Sequence, residues 1–328
     1  MGNIPVGHRF SMVAMALLNK LESKESAGEV MCLVSRVKCL VEPLQALSDL
    51  QAQAESASLL AGDLQYARLN RFFRCSNMFW AGVNVANVNE EVSRAIPVFK
   101  EQDHSDILTG LMIFQWVFST LLGNEAEVEL KFDPEKLEKT PRIELNCSFY
   151  KLFISFLFDR DDTQECGKTY YEIDERLRCS KQSVVGELVI RALPPGLTAF
   201  RLYRQTKDRI WLKRGQKCKE NMKVWSERGC KWNFEQKLLL LAAEENYCLG
   251  DLAAAKESYK NAIAAAKNHK FLNDECFALE LAAKFYFETG DLPSSLEHFR
   301  QAYDKYNEWG VCAKANQLLH QINEKFAP

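Results

Sequence analysis

The densest charge chemistry in this 328-residue chain lies between Arg201 and Lys231. Eleven basic residues there meet only three acidic ones, Asp208, Glu220 and Glu227, for a net of +8. Trp211, Trp225 and Trp232 are interleaved with them. Cations that neutralise phosphates beside rings that stack on bases are what binding of a single-stranded nucleic acid requires. Arg209, Lys213, Arg214 and Lys217 form the candidate basic patch, which would suit an acidic protein or an anionic lipid head group equally well. The competing reading is structural: the tryptophans wedge helix crossings and the bases form a solvated back face. That reading is preferred, because the whole chain carries a net charge of −2 and does not suit a protein that coats nucleic acid.

Other candidate chemistry is sparse. Asp159-Arg160-Asp161-Asp162 opens like a calcium loop, but the sixth and twelfth positions, where Gly and Glu belong, are Gln164 and Tyr170. It is read as a solvated loop. The five histidines (His8, His104, His269, His298, His320) have no zinc-ligand spacing to each other or to a cysteine, and no Cys-x-x-Cys occurs. Eleven scattered cysteines are therefore read as reduced thiols of a cytosolic core. The sequence lacks a P-loop, a dinucleotide-binding glycine motif, a nucleophile elbow, a zinc-protease motif and the kinase signature pairs. No catalytic residue, metal or cofactor is expected.

The elements that must carry these residues are helices. Fifteen glycines and nine prolines in 328 residues are about 7% of the chain, against roughly 12% in average usage, too few for the turns of an all-β fold. Phe10, Val13, Ala14, Leu17, Leu18 and Leu21 recur at helical spacing and predict an amphipathic first helix rather than a signal-peptide core. Met1-Gly2 lacks the hydroxyl at position 6 that myristoylation expects, since Val6 stands there. No apolar run reaches a membrane span of about 18 residues, so a cytoplasmic protein is expected. Further helices are read at about 30–41, 44–60, 64–80 and 107–122. A loop or linker follows at 123–142, and a very apolar helix around Phe149–Phe158. A short helix is placed near Tyr170–Leu177, and a break at Pro194-Pro195-Gly196. Helices then follow at about 197–206, 208–228, 234–249, 252–268, 272–289, 293–308 and 311–325. This divides the chain into helical parts at 1–122 and 143–328.

An internal repeat is the strongest signal. Ala242-Ala243, Gly250-Asp251-Leu252, Ala255, Tyr259 and Ala262 return forty residues later as Ala282-Ala283, Gly290-Asp291-Leu292, Ser295, Phe299 and Ala302. Ala61-Gly62-Asp63-Leu64 with Ala67 is a distant third copy. Small residues let two helices approach, the glycine turns the chain and the aromatic wedges between them, the offsets of a tetratricopeptide repeat. The fold class expected is all-α, a superhelical array of antiparallel helix pairs, clearest at 234–310. In tetratricopeptide register the inner groove is lined by Lys237, Leu240, Glu244 and Tyr247 in one copy and Phe277, Glu280, Lys284 and Phe287 in the next. Mixed charge with aromatics suits a bound peptide or helix.

Phe234-x-x-Lys237-Leu238-Leu239-Leu240, the long repeat and Tyr303-x-x-Tyr306-x-x-Trp309-Gly310 resemble the helical region of large multidomain signalling ATPases. These are predicted AAA/STAND-type ATPases associated with serine/threonine-kinase, histidine-kinase or cyclase domains. Gly7-His8-Arg9-Phe10, Glu42-Pro43-Leu44, Ala61-Gly62-Asp63-Leu64 and Gln205-Thr206-Lys207-x-Arg209-x-Trp211 are similar too, so the resemblance covers most of the chain. It implies a non-catalytic scaffold, or a regulatory or sensor arm, that binds a protein or peptide. An ATPase or kinase module, in cis or in trans, is among the implied partners. The ATPase, kinase and output domains themselves are absent from this sequence. Binding of nucleic acid or anionic lipid through 201–231 is the alternative.

Overall fold

The computed structural model describes residues 3–100, 106–124, 140–179 and 191–326. Among them are fifteen α-helices, one 3-10 turn (Leu44–Ala46) and no strand. The first six helices are α1 (Ile4–Leu21), α2 (Ala27–Lys38), α3 (Leu47–Leu60), α4 (Leu64–Trp80), α5 (Val85–Lys100) and α6 (Asp106–Leu122). Then come α7 (Pro141–Leu157), α8 (Thr163–Cys179), α9 (Leu193–Thr206), α10 (Arg209–Arg228) and α11 (Lys231–Leu249). The stack ends with α12 (Leu252–Asn268), α13 (Leu272–Glu288), α14 (Leu292–Trp309) and α15 (Cys312–Lys325). Every helix packs on its successor, the pairwise architecture that the repeat implies.

The three repeat turns share one geometry. Gly62, Gly250 and Gly290 take φ of 75°, 83° and 86°, the left-handed region that favours glycine. The next residue caps the following helix: Asp63, Asp251 and Asp291 accept from the backbone N–H of Tyr66, Ala254 and Ser294. Tyr259 and Phe299 are the buried wedges, with Ala255, Ala262 and Ala302 beside them.

Several elements depart from the sequence-based expectation. Helix α5 falls where no helix was read; Val85, Val88, Val92 and Ala95 are its buried face, and Pro97 sits inside it. Helix α8 is longer than Tyr170–Leu177. Pro194 and Pro195 do not separate helices but occupy the first turn of α9, where a missing N–H costs nothing. A Cβ at Gly196 would meet Cys218 Cβ at 2.9 Å as well as Leu241 Cδ2 at 2.7 Å, so α9 packs closely there because the residue is glycine. The linker expected at 123–142 lies mostly outside the described residues; its last two, Pro141 and Arg142, already belong to α7.

The stack is not an open array. One hydrophobic cluster runs from Cys32 to Leu318. Helix α7 passes through it, buried on nearly every side, with Phe149, Phe153 and Phe156 in the core as expected. Phe153 touches Phe79 and Trp80 of α4 (6.0 and 5.4 Å between centroids) and Phe277 of α13 (6.2 Å). Early and late helices are also joined by polar contacts. Asn233 Nδ2 donates to the carbonyls of Cys39 and Glu42, and its Oδ1 accepts from Leu44 N at 2.9 Å. Asn84 Nδ2 donates to Glu308 O, and Asn273 Nδ2 to Trp80 O.

Candidate functional site

The eight expected groove residues lie on α11 and α13, and that face is filled by the chain itself, Leu240 being fully buried. Lys237 is buried in an ion pair with Asp274 and lies over the Phe271 ring at 4.1 Å. Burial pulls its ammonium below the ordinary lysine range against the Asp274 charge. Glu244 is buried, paired with Arg204 at 2.6 Å and accepting from the Tyr259 hydroxyl. Phe277 packs on Trp309 (5.8 Å) as well as Phe153. Tyr247 is half-buried, its hydroxyl donating to Glu288 and its ring under Arg204 at 4.7 Å. Phe287, half-buried, meets Phe326 and Lys325.

Glu280 and Lys284 belong to an interior clasp. Lys284 bridges Glu280 (2.7 Å) and Asp159 (2.8 Å). Lys314 of α15, fully buried, pairs with Glu280 at 2.8 Å and donates to Leu157 O at 2.5 Å. Arg201 reaches Asp159 at 2.7 Å, and the Tyr306 hydroxyl donates to Glu280 at 2.7 Å. Asp159 lies in the solvated loop that was expected, since residues 159–162 are all exposed, and from there it anchors the end of α7 to α9, α13 and α15. Burial alone would raise its carboxyl, but Lys284, Lys314 and Arg201 outweigh that and hold it well below the usual carboxylate range. Glu280 is depressed in the same way, with the two lysines overcoming its burial.

The basic stretch divides. Arg209 and Lys213 are exposed on α10. Arg214 is turned inward, its guanidinium over Tyr171 (4.5 Å) and Trp211 (4.9 Å) and 3.4 Å from Glu175. Lys217 is exposed beside Glu220. Trp211 and Trp225 are buried in the core, and Trp232, half-buried, lies on His269 at 4.8 Å, so two of the three rings that would stack on bases are withdrawn from solvent.

Arg214 and Lys217 instead line a cavity of about 1200 Å³. Helices α8 and α10 each pack on α9, and the cavity, partly open to solvent, lies between them, lined also by Ala192 and Pro195, by the start of α1 and by Val37 and Leu40 at the end of α2. From α10, Arg214, Cys218, Asn221, Trp225 and Arg228 reach it at helical spacing; from α8, Tyr170, Asp174 and Arg178 do, four residues apart. Asp174 is nine-tenths buried: Oδ2 takes the Arg178 guanidinium at 2.8 Å and Oδ1 has no hydrogen-bond partner. Burial pushes its carboxyl above the usual range, with Arg178 opposing. The Tyr171 hydroxyl donates to Pro195 O at 3.0 Å, fixing the ring in the wall.

Sequence reasoning singled out none of Tyr170, Tyr171, Asp174 and Asn221 as site residues. The four-residue spacing on α8 was present in the text, but nothing in the text says that α8 and α10 share a cavity. Among the described residues no cluster of His, Cys, Asp and Glu could hold a metal ion, and no helix is long and apolar enough to cross a membrane. The chain matches no known protein-family model and none of the curated proteins with which it was compared.

Proposed function

We propose that the chain is a non-catalytic helical scaffold that binds a protein partner, and that the docking face is the bare side of α1. The observation that carries this reading is the exposure of Phe10 (70%), Leu17 (50%) and Leu21 (69%), with Val6 and Val13 on the same stripe. These are largely the residues whose periodicity identified α1, and in a globular stack they belong inside. Instead α1 rests on α2 through Ser11 and Leu18 and turns its apolar stripe outward. An apolar patch of this kind marks an interaction surface.

The occupant is an amphipathic helix with an acidic flank. Helix α1 carries Arg9 and Lys20 and no Asp or Glu, and a helix laid on the stripe continues the pairwise packing of the stack. A regulatory or sensor arm beside an ATPase or kinase module, in cis or in trans, is the setting that the resemblance implies. A photoreactive phenylalanine analogue placed at Leu17 of the full chain tests the reading in source cells. The attached segment, sequenced by mass spectrometry, is expected to be an acidic amphipathic helix, and Phe10→Glu is expected to abolish the adduct. Attachment to lipid alone, to a second copy of this chain, or no adduct different from that at exposed Lys260 would overturn it.

A further inference from the structure

The seam between the two halves of the stack holds a histidine. His269 stands at the corner between α12 and α13, its side chain 15% exposed and its ring on Trp232 at 4.8 Å. Gln45, in the 3-10 turn of the N-terminal half, ties this corner down. Its Nε2 donates to the carbonyls of His269 and Lys270 (3.2 and 3.3 Å), and its Oε1 accepts from the Trp232 indole N–H at 3.3 Å. Gln45, Trp232 and His269 thus close a ring of contacts across the seam.

The surroundings select the neutral imidazole. Gln236 is buried and spends its Nε2 on Asp274 Oδ2 (3.0 Å) and Asn233 O (3.2 Å), so its Oε1 faces the ring. His269 Nδ1, 3.1 Å from that oxygen, is therefore the nitrogen that carries the proton of the neutral ring. A second proton would go on Nε2. Glu235 faces that nitrogen from 3.6 Å, beyond hydrogen-bond range, and already holds Lys231 at 2.9 Å. Lys237 of the same helix is a buried cation committed to Asp274, which is the acid that α13 presents behind Gln236. The 3-10 turn presents only the neutral Gln45 to this corner. Burial, with Lys231 and Lys237, outweighs Glu235 and pulls the imidazole below its ordinary range.

We infer that His269 is a proton-sensitive joint: neutral, it clasps the two halves of the stack together, and protonated, it loosens the seam. This goes beyond the docking reading and does not depend on it. The unfolded chain takes up the proton near pH 6.5, above the folded value. The joint's contribution is therefore complete above about pH 7.5 and is lost as the pH falls through about 6.5.

Proton NMR of the full chain reads the titration directly, with the His269 ring assigned through its contact with Trp232. The ring is expected to titrate below about 6.5. In Gln45→Ala, which removes the contact across the seam and leaves the ring in place, it is expected to titrate closer to 6.5, because coupling between two events is reciprocal. From about pH 7.5 to about pH 5.5 the urea midpoint of the parent chain is expected to fall. It is expected to fall less in His269→Asn, which keeps a donor toward Gln236 and takes no proton. The inference is overturned if His269 titrates at or above about 6.5, or if Gln45→Ala leaves its titration unchanged. It is equally overturned if folded His269→Asn protein loses as much midpoint over that interval as the parent chain; should that variant not fold, the two titrations decide alone.

Discussion

At the scale of single residues, the interior clasp sets how the molecule responds to truncation and to pH. Lys314 is fully buried between Glu280 and Asp159, so its removal leaves the buried Glu280 carboxylate with one cation fewer. Lys314→Met is expected to lose about 3–5 kcal/mol, since breaking a buried charge cluster from one side costs more than the cluster contributes. A shift in the urea midpoint equivalent to less than about 1 kcal/mol would mean that Lys284 and Arg201 compensate alone. The pH dependence follows from the direction of the shifts. Asp159 and Glu280 are held below their ordinary values in the folded chain. The folded state therefore binds their protons more weakly than the unfolded state does. Their contribution is fully present above about pH 5 and is lost as the pH falls through the folded values. Stability is expected to drop steeply below about pH 4, and Asp159→Asn to flatten that slope. An unchanged slope in Asp159→Asn would place the acid sensitivity elsewhere.

At the scale of elements, the repeat units behave as the sequence says. Phe299 is the buried wedge of its pair, and Phe299→Ala is expected to cost about 3–5 kcal/mol; a loss under half a kcal/mol would sink the register. Asp251→Ala removes a cap that holds Ala254 N at 3.0 Å and is expected to cost about 1 kcal/mol, read from the same denaturation curves. Helix α12 was legible to the residue because Gly250-Asp251 starts it with an explicit turn and cap. Helix α5 was not, because Asn87, Asn89 and Pro97 dilute a stripe that is nevertheless complete at Val85, Val88, Val92 and Ala95. The groove failed for a different physical reason. Register determines which side of a helix faces inward, and it did so for Lys237 through Phe287. Whether the inside is empty depends on α7, whose all-round apolarity announced burial without naming its neighbours. The cavity is the same kind of case: Arg214 and Lys217 were legible as charge, while the partnership of α8 with α10 depends on packing across forty residues.

At the scale of the whole molecule, closure changes the expected unfolding. In an open solenoid each pair contacts only its neighbours, stability is a sum of local terms, and the ends can melt first. Here the two halves are joined through Asn233, Asn84 and Asn273, through the hydrogen bond from Cys230 N to Leu40 O (2.7 Å), and through the Phe79–Trp309 stack at 5.4 Å. Helix α7 adds a core that belongs to both. Separate melting of either half would expose the other half's apolar face, so the chain is expected to unfold as one cooperative unit. Helical dichroism and tryptophan fluorescence should give coincident urea transitions, the usual sign of two-state behaviour. Asn233→Ala leaves the buried Leu44 N–H and the Cys39 and Glu42 carbonyls without their partner. It is expected to lower the shared midpoint by the equivalent of about 2–3 kcal/mol while the two signals stay together. If instead the signals separate in the unmodified chain, the halves are thermodynamically independent and the contacts between them are only a seam. A separation that appears only in Asn233→Ala would show that this one side chain carries most of the coupling between an N-terminal stack and the repeats that follow it.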